Sequence, residues 1–110
     1  MSNKHYISGR NFEYSVRDHL EAKGYVVVRS AGSHTPIDLV AFNKYGFNLI
    51  QCKHGKIKLS EIKDFIALSK KYQEYEYNFY VATAERNGKY VDIVFYGITP
   101  AGNLIRSDDF

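Results

Sequence analysis

Apolar residues recur along the chain with two periods, one typical of helices and one typical of strands. Near the start, Phe12, Val16 and Leu20 follow one another at four-residue spacing, which places them on one face of a helix. A second stripe of helical spacing comprises Ile62, Phe65, Ile66, Ser69 and Tyr72. Short runs rich in β-branched and aromatic residues lie around these stripes and favour strands. The pattern predicts a helix over 8–23, strands over 25–29, 37–42 and 47–53, a helix over 60–74, and strands over 77–85 and 89–96.

Turn-forming residues separate the predicted segments. Gly24 fits the stop of the first helix, Ser60 fits the N-cap of the second, and Asn87-Gly88 is a strong hairpin signal. The last residues, 99–110, carry no clear pattern. The order of helix, three strands, helix and two strands predicts an α/β fold with a small mixed β-sheet flanked by helices, and we expect a single domain over 1–110.

Composition limits the class of protein. A chain of 110 residues has room for one core, and its 10 Tyr and 7 Phe argue against disorder. No apolar run is long enough to cross a membrane, and residues 1–6 lack the apolar stretch of a secretory signal. The single cysteine, Cys52, excludes an internal disulfide and a Cys-rich zinc site. We therefore expect a cytoplasmic protein without membrane contact, located in the host cytoplasm if the gene is viral.

Charge adds a weaker indication. The formal net charge of +3 is mildly basic and fits many metabolic enzymes. Its distribution points more toward DNA, because cationic and histidine side chains cluster after residue 52 and recur near the start. The candidate DNA-binding residues are Arg10, His34, His54, Lys56 and Lys58. On charge alone, a solvated surface with scattered lysines explains the sequence equally well.

Four polar residues stand where the pattern expects apolar ones. Glu13 falls beside the stripe of the first helix, and Asp38 lies near the start of an apolar strand. Gln51 and Lys53 end the next strand and, two residues apart, share one face of it. Because these two strands are predicted to pair as a hairpin, Asp38, Gln51 and Lys53 can converge. A buried carboxylate is costly unless it is paired or bound to a metal.

Together these residues offer hard oxygen ligands for a metal ion. The carboxylates of Glu13 and Asp38, the amide oxygen of Gln51 and the backbone carbonyl of Cys52 suit Mg²⁺, with Mn²⁺ as a substitute, better than zinc. Lys53 beside such an ion would stabilise charge that develops on a phosphate in the transition state. Each residue alone has an ordinary explanation, such as a turn, a surface ion pair or a solvent-facing strand end. The combination favours a catalytic site.

Two other arrangements of polar residues do not form a site. Ser33, His34 and Asp38 are too close in sequence for the geometry of a hydrolase triad, and no oxyanion signature accompanies them. The four histidines lack metal-ligand spacing. Both arrangements are rejected.

The chain resembles the archaeal-type Holliday junction resolvases, a family within the PD-(D/E)XK nuclease superfamily. The similar segments are GRNFEY at 9–14, GYVVVRSAGS at 24–33, DLVA at 38–41 and QCK at 51–53. The resemblance is dense over residues 8–53 and holds only in outline over 60–97. Its most specific part is VVRSAGS at 27–33. It implies a restriction-endonuclease-like core.

The resemblance also implies roles for single residues. Glu13 and Asp38 match metal ligands of the family, and Lys53 matches its catalytic lysine. Arg29 matches an arginine that serves the reaction or contacts phosphate, and Ser33 matches a serine in a loop near the scissile phosphate. Such proteins are homodimers that use Mg²⁺ to make paired cuts in four-way DNA junctions during recombination and repair. The resemblance therefore implies a Holliday junction resolvase.

Gln51 departs from the pattern of that family, which usually has glutamate at this position. A glutamine keeps a carbonyl oxygen but brings no charge. Mrr-like restriction nucleases, another branch of the superfamily, do use Q-x-K. Two alternatives stay open: an Mrr-like or restriction-like endonuclease that cuts duplex DNA, and a DNA-binding protein with weakened catalysis.

Overall fold

The computed structural model describes residues 9–30, 35–72 and 77–110. The helices are α1 (Gly9–Ala22), a short 3-10 helix (Leu59–Glu61) and α2 (Lys63–Lys71). The strands are β1 (Val26–Arg29), β2 (Leu39–Asn43), β3 (Gly46–Lys53), β4 (Tyr77–Asn87), β5 (Tyr90–Ile98) and β6 (Leu104–Ser107). Within this part of the chain, no helix is long and apolar enough to span a membrane.

Helix α1 forms as its apolar spacing predicts. Phe12, Val16 and Leu20 are almost completely buried, so the stripe faces the sheet. The helix ends at Ala22, and Gly24 then turns the chain with a φ of +95°, which is accessible to glycine at little cost. The backbone N–H of Gly24 donates to the carbonyl of Glu21, and that of Tyr25 donates to Leu20. This pair of bonds satisfies the last carbonyls of α1 and turns the chain into β1.

The six strands form one mixed sheet in the order β1-β2-β3-β4-β5-β6. All neighbours pair antiparallel except β3 and β4, which are parallel. The parallel pair requires a crossover, and the 3-10 helix with α2 provides it. The predicted mixed α/β sheet is therefore confirmed, with β6 added from the tail that carried no clear pattern.

The two faces of the sheet bury separate cores. On one face, α1 packs over a core that comprises Phe12, Val16, Leu20, Leu39, Ala41, Ile50, Ala82 and Phe95. On the other face, the 3-10 helix and α2 pack over Ile62, Phe65, Phe79 and Val81. Alternation along β3 divides its residues between these cores, so Ile50 faces α1 and Leu49 faces α2.

One detail of the sequence prediction is wrong, and a second is shifted by one residue. Ser60 does not cap the second helix: it lies inside the 3-10 turn, and α2 has Ile62 at its N-cap without a side-chain cap bond. The buried Ile62 fixes this start by packing in the core. The predicted hairpin around Asn87-Gly88 is confirmed, with its loop one residue further along the chain. Its end residues Asn87 and Tyr90 pair, so the central residues are Gly88, with a φ of +65°, and Lys89.

Candidate active site at the end of the β2–β3 hairpin

Asp38 lies immediately before β2 and is tied to β3 by two hydrogen bonds. Its backbone N–H donates to the carbonyl of Ile50, at 2.9 Å. Its carboxylate Oδ2 accepts a hydrogen bond from the backbone N–H of Cys52, at 2.8 Å. Where the backbone hydrogen bonds between β2 and β3 end, the Asp38 side chain replaces a backbone carbonyl as the acceptor. This fixes the carboxylate beside the last residues of β3.

The electrostatic surroundings of Asp38 include three of the other predicted site residues. Burial raises the pKa of the Asp38 carboxyl, and the negative charge of Glu13 raises it further. The backbone N–H of Cys52 and the positive charges of Lys53 and Arg29 oppose that rise. Glu13, Lys53 and Arg29 therefore lie close enough to act on one carboxylate, although they come from α1, β3 and β1.

Glu13 pairs across elements and not along its own helix. Its Oε1 lies 3.0 Å from Nε of Arg29, and both side chains are mostly buried. The Arg29 guanidinium also lies over the Tyr14 ring, 5.0 Å from its centroid. Arg17, which spacing also offers as a partner for Glu13, instead pairs with Asp18. The Glu13–Arg29 pair anchors α1 to the end of β1.

Gln51 carries an amide oxygen that is buried without a hydrogen-bond partner among the described residues. An unpaired buried acceptor costs about 1–3 kcal/mol, so folding alone does not favour it. Gln51 follows Ile50, the residue bonded to the Asp38 backbone, and precedes Cys52, the donor to the Asp38 carboxylate. Gln51 thus stands in β3 between the two residues that bond to Asp38, and a cation at this strand end would satisfy its oxygen.

Lys53, the last residue of β3, points to the α2 side of the sheet. Its Nζ lies 3.6 Å from Oε1 of Glu61 in the 3-10 helix. Both side chains are partly exposed, so the pair contributes little to stability. Sequence reasoning missed Glu61 because the contact depends on the path of the β3–α2 connection, which no periodicity reveals.

Cys52 packs between the site and the α1-side core, as its alternation with Gln51 and Lys53 predicts. Burial raises the pKa of its thiol far above the ordinary range, and the charges of Asp38 and Glu13 add to the effect. The side chain therefore stays a neutral thiol. The Cys52 carbonyl as a metal ligand remains a prediction.

The donor set fits a hard cation better than zinc. In the described ranges, no three His, Cys, Asp or Glu side chains group closely enough to hold a metal ion. Glu13 and Asp38 supply two carboxylates, and Gln51 adds a neutral, unpaired oxygen. Oxygen-only sets of this kind suit Mg²⁺ or Mn²⁺.

The predicted DNA-binding residues fall into two groups. His54, Lys56 and Lys58 are exposed on the connection that follows Lys53. The His54 ring lies 5.4 Å from that of Phe12, next to Glu13 in α1. Ser33, His34 and the side chain of Arg10 lie outside what the structure describes, so their predicted roles rest on sequence.

Comparison with known proteins gives a family and a fold match. A model of the Mrr catalytic-domain family, described as a restriction endonuclease, matches residues 5–89. The fold is similar to that of Hjc from Archaeoglobus fulgidus, a Holliday junction resolvase from an archaeal hyperthermophile, with a TM-score of 0.58 and 23% sequence identity. That match covers 79% of this chain and 70% of the other. No curated protein matches the sequence. The predicted restriction-endonuclease-like core is confirmed.

Proposed function

The chain belongs to the Mrr-type restriction endonuclease family, and from this premise we propose that it is a metal-dependent endonuclease that cuts DNA at four-way junctions. The observation that carries the proposal is the convergence of Glu13, Lys53 and Arg29 on Asp38. The unpaired amide oxygen of Gln51 lies at the same strand end. Two acids, a neutral oxygen and two cations are suited to the hydrolysis of a phosphodiester.

Mg²⁺ is the ion that this site would take, with Mn²⁺ as a substitute, held by Glu13, Asp38, Gln51 and the Cys52 carbonyl. When bound, the ion supplies Lewis-acid activation of the phosphate and of the attacking water. The negative charge of the Asp38 carboxylate is incompletely compensated, since burial and the charge of Glu13 both raise its pKa. That deficit favours a divalent cation at this position.

The cationic residues have separate roles in the proposal. Lys53, beside Asp38, stabilises the negative charge that develops on the phosphate in the transition state. Arg29 contacts the phosphate, and Ser33 lies next to it. Contacts with the DNA backbone come from Arg10, His34, His54, Lys56 and Lys58.

Four-way junctions are favoured over duplex DNA by the similarity of residues 27–33 to archaeal-type resolvases, and by the fold shared with a Holliday junction resolvase. A role in DNA recombination and repair follows from that substrate. Because Gln51 stands where archaeal-type resolvases usually have glutamate, two alternatives stay open: cleavage of duplex DNA, and DNA binding without catalysis.

The test of the substrate compares cleavage of an immobile four-way junction with cleavage of a duplex of the same arm sequence in Mg²⁺. Cleavage of the junction alone supports the proposal; equal cleavage of both supports the Mrr-like alternative.

We further infer that the active species is a homodimer, because paired cuts in a near-symmetric junction need two sites related by a two-fold axis. An apolar row crosses the part of the sheet beyond α2 and supports a contact with a second copy. Strand register joins Val26, Phe42, Phe47 and Tyr77 in this row, and Val26 and Phe47 are about half exposed.

Light scattering at micromolar concentration should report a dimer, and Phe47→Lys should yield a monomer. A monomeric parent protein that still makes paired cuts would contradict the inference.

A further inference from the structure

A cleft of about 460 Å³ opens beside the candidate active site. It lies on the α2 side of the sheet, between the connection that follows β3 and the outer strands. Lys56 and Ile57 line it from the connection, Thr83 and Glu85 from β4, and Tyr96 from β5. None of these residues except Lys56 has a part in the proposed reaction.

The cleft is held next to Lys53 by strand pairing. Lys53 is the register partner of Thr83 in the parallel β3–β4 pair. The Thr83 hydroxyl donates a hydrogen bond to the carbonyl of Gly55, at 2.6 Å, and so fixes the connection against β4. Neighbouring strands lie about 4.8 Å apart. A strand of DNA with its scissile phosphate at Lys53 would therefore reach the cleft with the adjoining nucleotides.

The cleft has an excess of positive charge. Lys56 lines it, whereas Arg86 shares the face of β4 that carries Ala82 and Ala84, so only its backbone borders the cleft. Glu85, the one carboxylate that the described residues bring to the lining, already has a cationic partner, since its Oε1 lies 3.6 Å from Nη1 of Arg106. The charge of Glu85 is thus offset by Arg106, whereas Lys56 remains to attract an anion. A phosphate suits this balance.

Tyr96 provides an aromatic wall whose position is fixed. Its hydroxyl donates a hydrogen bond to Glu85, which also raises the pKa of the Tyr96 phenol. The ring is therefore held at both ends, by its backbone in β5 and by a neutral hydroxyl bonded to β4. An aromatic ring next to cations is the arrangement with which proteins bind unpaired nucleotides, the base stacking on the ring and the phosphate meeting the cation.

We propose that this cleft is a nucleotide subsite that holds the unpaired part of a DNA strand next to the phosphate at Lys53. A phosphate contacts Lys56, and a base packs against Tyr96. The identity of the ligand as DNA rests on the proposed function. The assignment of the cleft as a binding site follows from the register of Lys53 with Thr83, the charge balance and the fixed position of Tyr96.

Binding of a fluorescein-labelled single-stranded oligothymidine, followed by anisotropy in EDTA, tests the subsite without cleavage. Tyr96→Leu should weaken binding about tenfold, whereas Tyr96→Phe, which keeps the ring, should stay within about threefold of the parent. Lys56→Ala should reduce the slope of log K against log salt by about 0.7. The matched control is Tyr90→Leu, which removes an exposed tyrosine of the same strand and should change nothing.

A second measurement uses the parent protein alone, so it does not depend on the folding of a variant. In ¹⁵N-labelled protein, the oligothymidine should shift the amide resonances of Gly55 and Arg86 more than that of Tyr90. Equal binding by folded Tyr96→Leu and parent, or unchanged resonances at Gly55 and Arg86, would overturn the subsite. If the parent cuts junctions while these results are negative, only the subsite is wrong. If the parent cuts nothing while these results are positive, the subsite stands and the proposed function is wrong.

Discussion

Nε of Arg29 lies 3.0 Å from Oε1 of Glu13, and this pair joins β1 to α1 beside Asp38. The guanidinium thereby neutralises one of the two carboxylates that are proposed to hold a metal. Arg29 and a divalent cation therefore compete for Glu13. If Arg29 moves from Glu13 to the phosphate when DNA binds, substrate binding and metal binding favour each other.

Arg29→Gln should bind Mn²⁺ more tightly than the parent protein in the absence of DNA. The change leaves the Glu13 carboxylate near Asp38 without its cationic partner. Its full negative charge then attracts the ion, and the affinity for Mn²⁺ should rise about tenfold. Calorimetric titration with Mn²⁺ measures the effect. Arg106→Gln is the control, because Arg106 pairs with Glu85 on the outer strands and not with a proposed metal ligand. Weaker Mn²⁺ binding by Arg29→Gln would contradict the competition.

Asp38→Asn should make the metal-free protein more stable at pH 7. Burial raises the folded-state pKa of Asp38, so the folded protein binds this proton more tightly than the unfolded chain. The ionised carboxylate consequently destabilises the fold above the raised pKa, and the penalty vanishes below the ordinary aspartate pKa of about 3.9. Thermal unfolding in EDTA should show a higher midpoint for the variant at pH 7 and no difference near pH 3. A variant that is less stable than the parent at pH 7 would refute this.

Gln51→Leu should cripple cleavage without loss of folding stability. Leucine removes the buried oxygen that has no partner. The metal-free variant should therefore be at least as stable as the parent, with a free energy of unfolding higher by up to about 1–3 kcal/mol. Gln51→Glu should stay active and shift the Mg²⁺ titration to lower concentration, since it restores a charged ligand. Both titrations are run at one pH and salt concentration. Normal cleavage by Gln51→Leu at limiting Mg²⁺ would remove Gln51 from the site.

Lys53→Ala should lower the single-turnover cleavage rate by about 10²–10³ and leave junction affinity within several-fold, because the contact acts mainly in the transition state. Its pair with Glu61 is partly exposed, so the variant should unfold at nearly the parent temperature. Lys58→Ala, on the exposed connection, should behave in the opposite way, with weaker binding and an unchanged rate at saturation. A loss of binding alone in Lys53→Ala would make Lys53 a phosphate contact.

Local signals in the sequence predict much of this fold. The stripe of Phe12, Val16 and Leu20 and the stop at Gly24 set α1 because helix spacing and a left-handed glycine act within a few residues. Alternation along β3 likewise predicts that Gln51 and Cys52 face opposite ways. Convergence at the end of the β2–β3 hairpin follows from strand pairing alone.

Contacts between distant segments are what the sequence does not reveal. Strand β6 has little pattern of its own and forms because β5 offers a free edge. The start of α2 depends on the burial of Ile62 and not on the nearby Ser60. The partners Arg29 for Glu13 and Glu61 for Lys53 depend on how α1 and the 3-10 helix meet the sheet.

Strand-resolved cleavage of an immobile four-way junction by the parent protein and by Asp38→Asn is the most direct measurement of the proposed activity. With Mg²⁺, the parent should cut opposing strands of the junction in pairs and leave a duplex of the same arms intact. Asp38→Asn should cut neither substrate while it binds the junction within several-fold of the parent, since affinity comes mainly from cationic contacts with phosphate. Cleavage by Asp38→Asn at the parent rate, or no junction cleavage by the parent in either Mg²⁺ or Mn²⁺, would contradict a metal-dependent resolvase centred on Asp38.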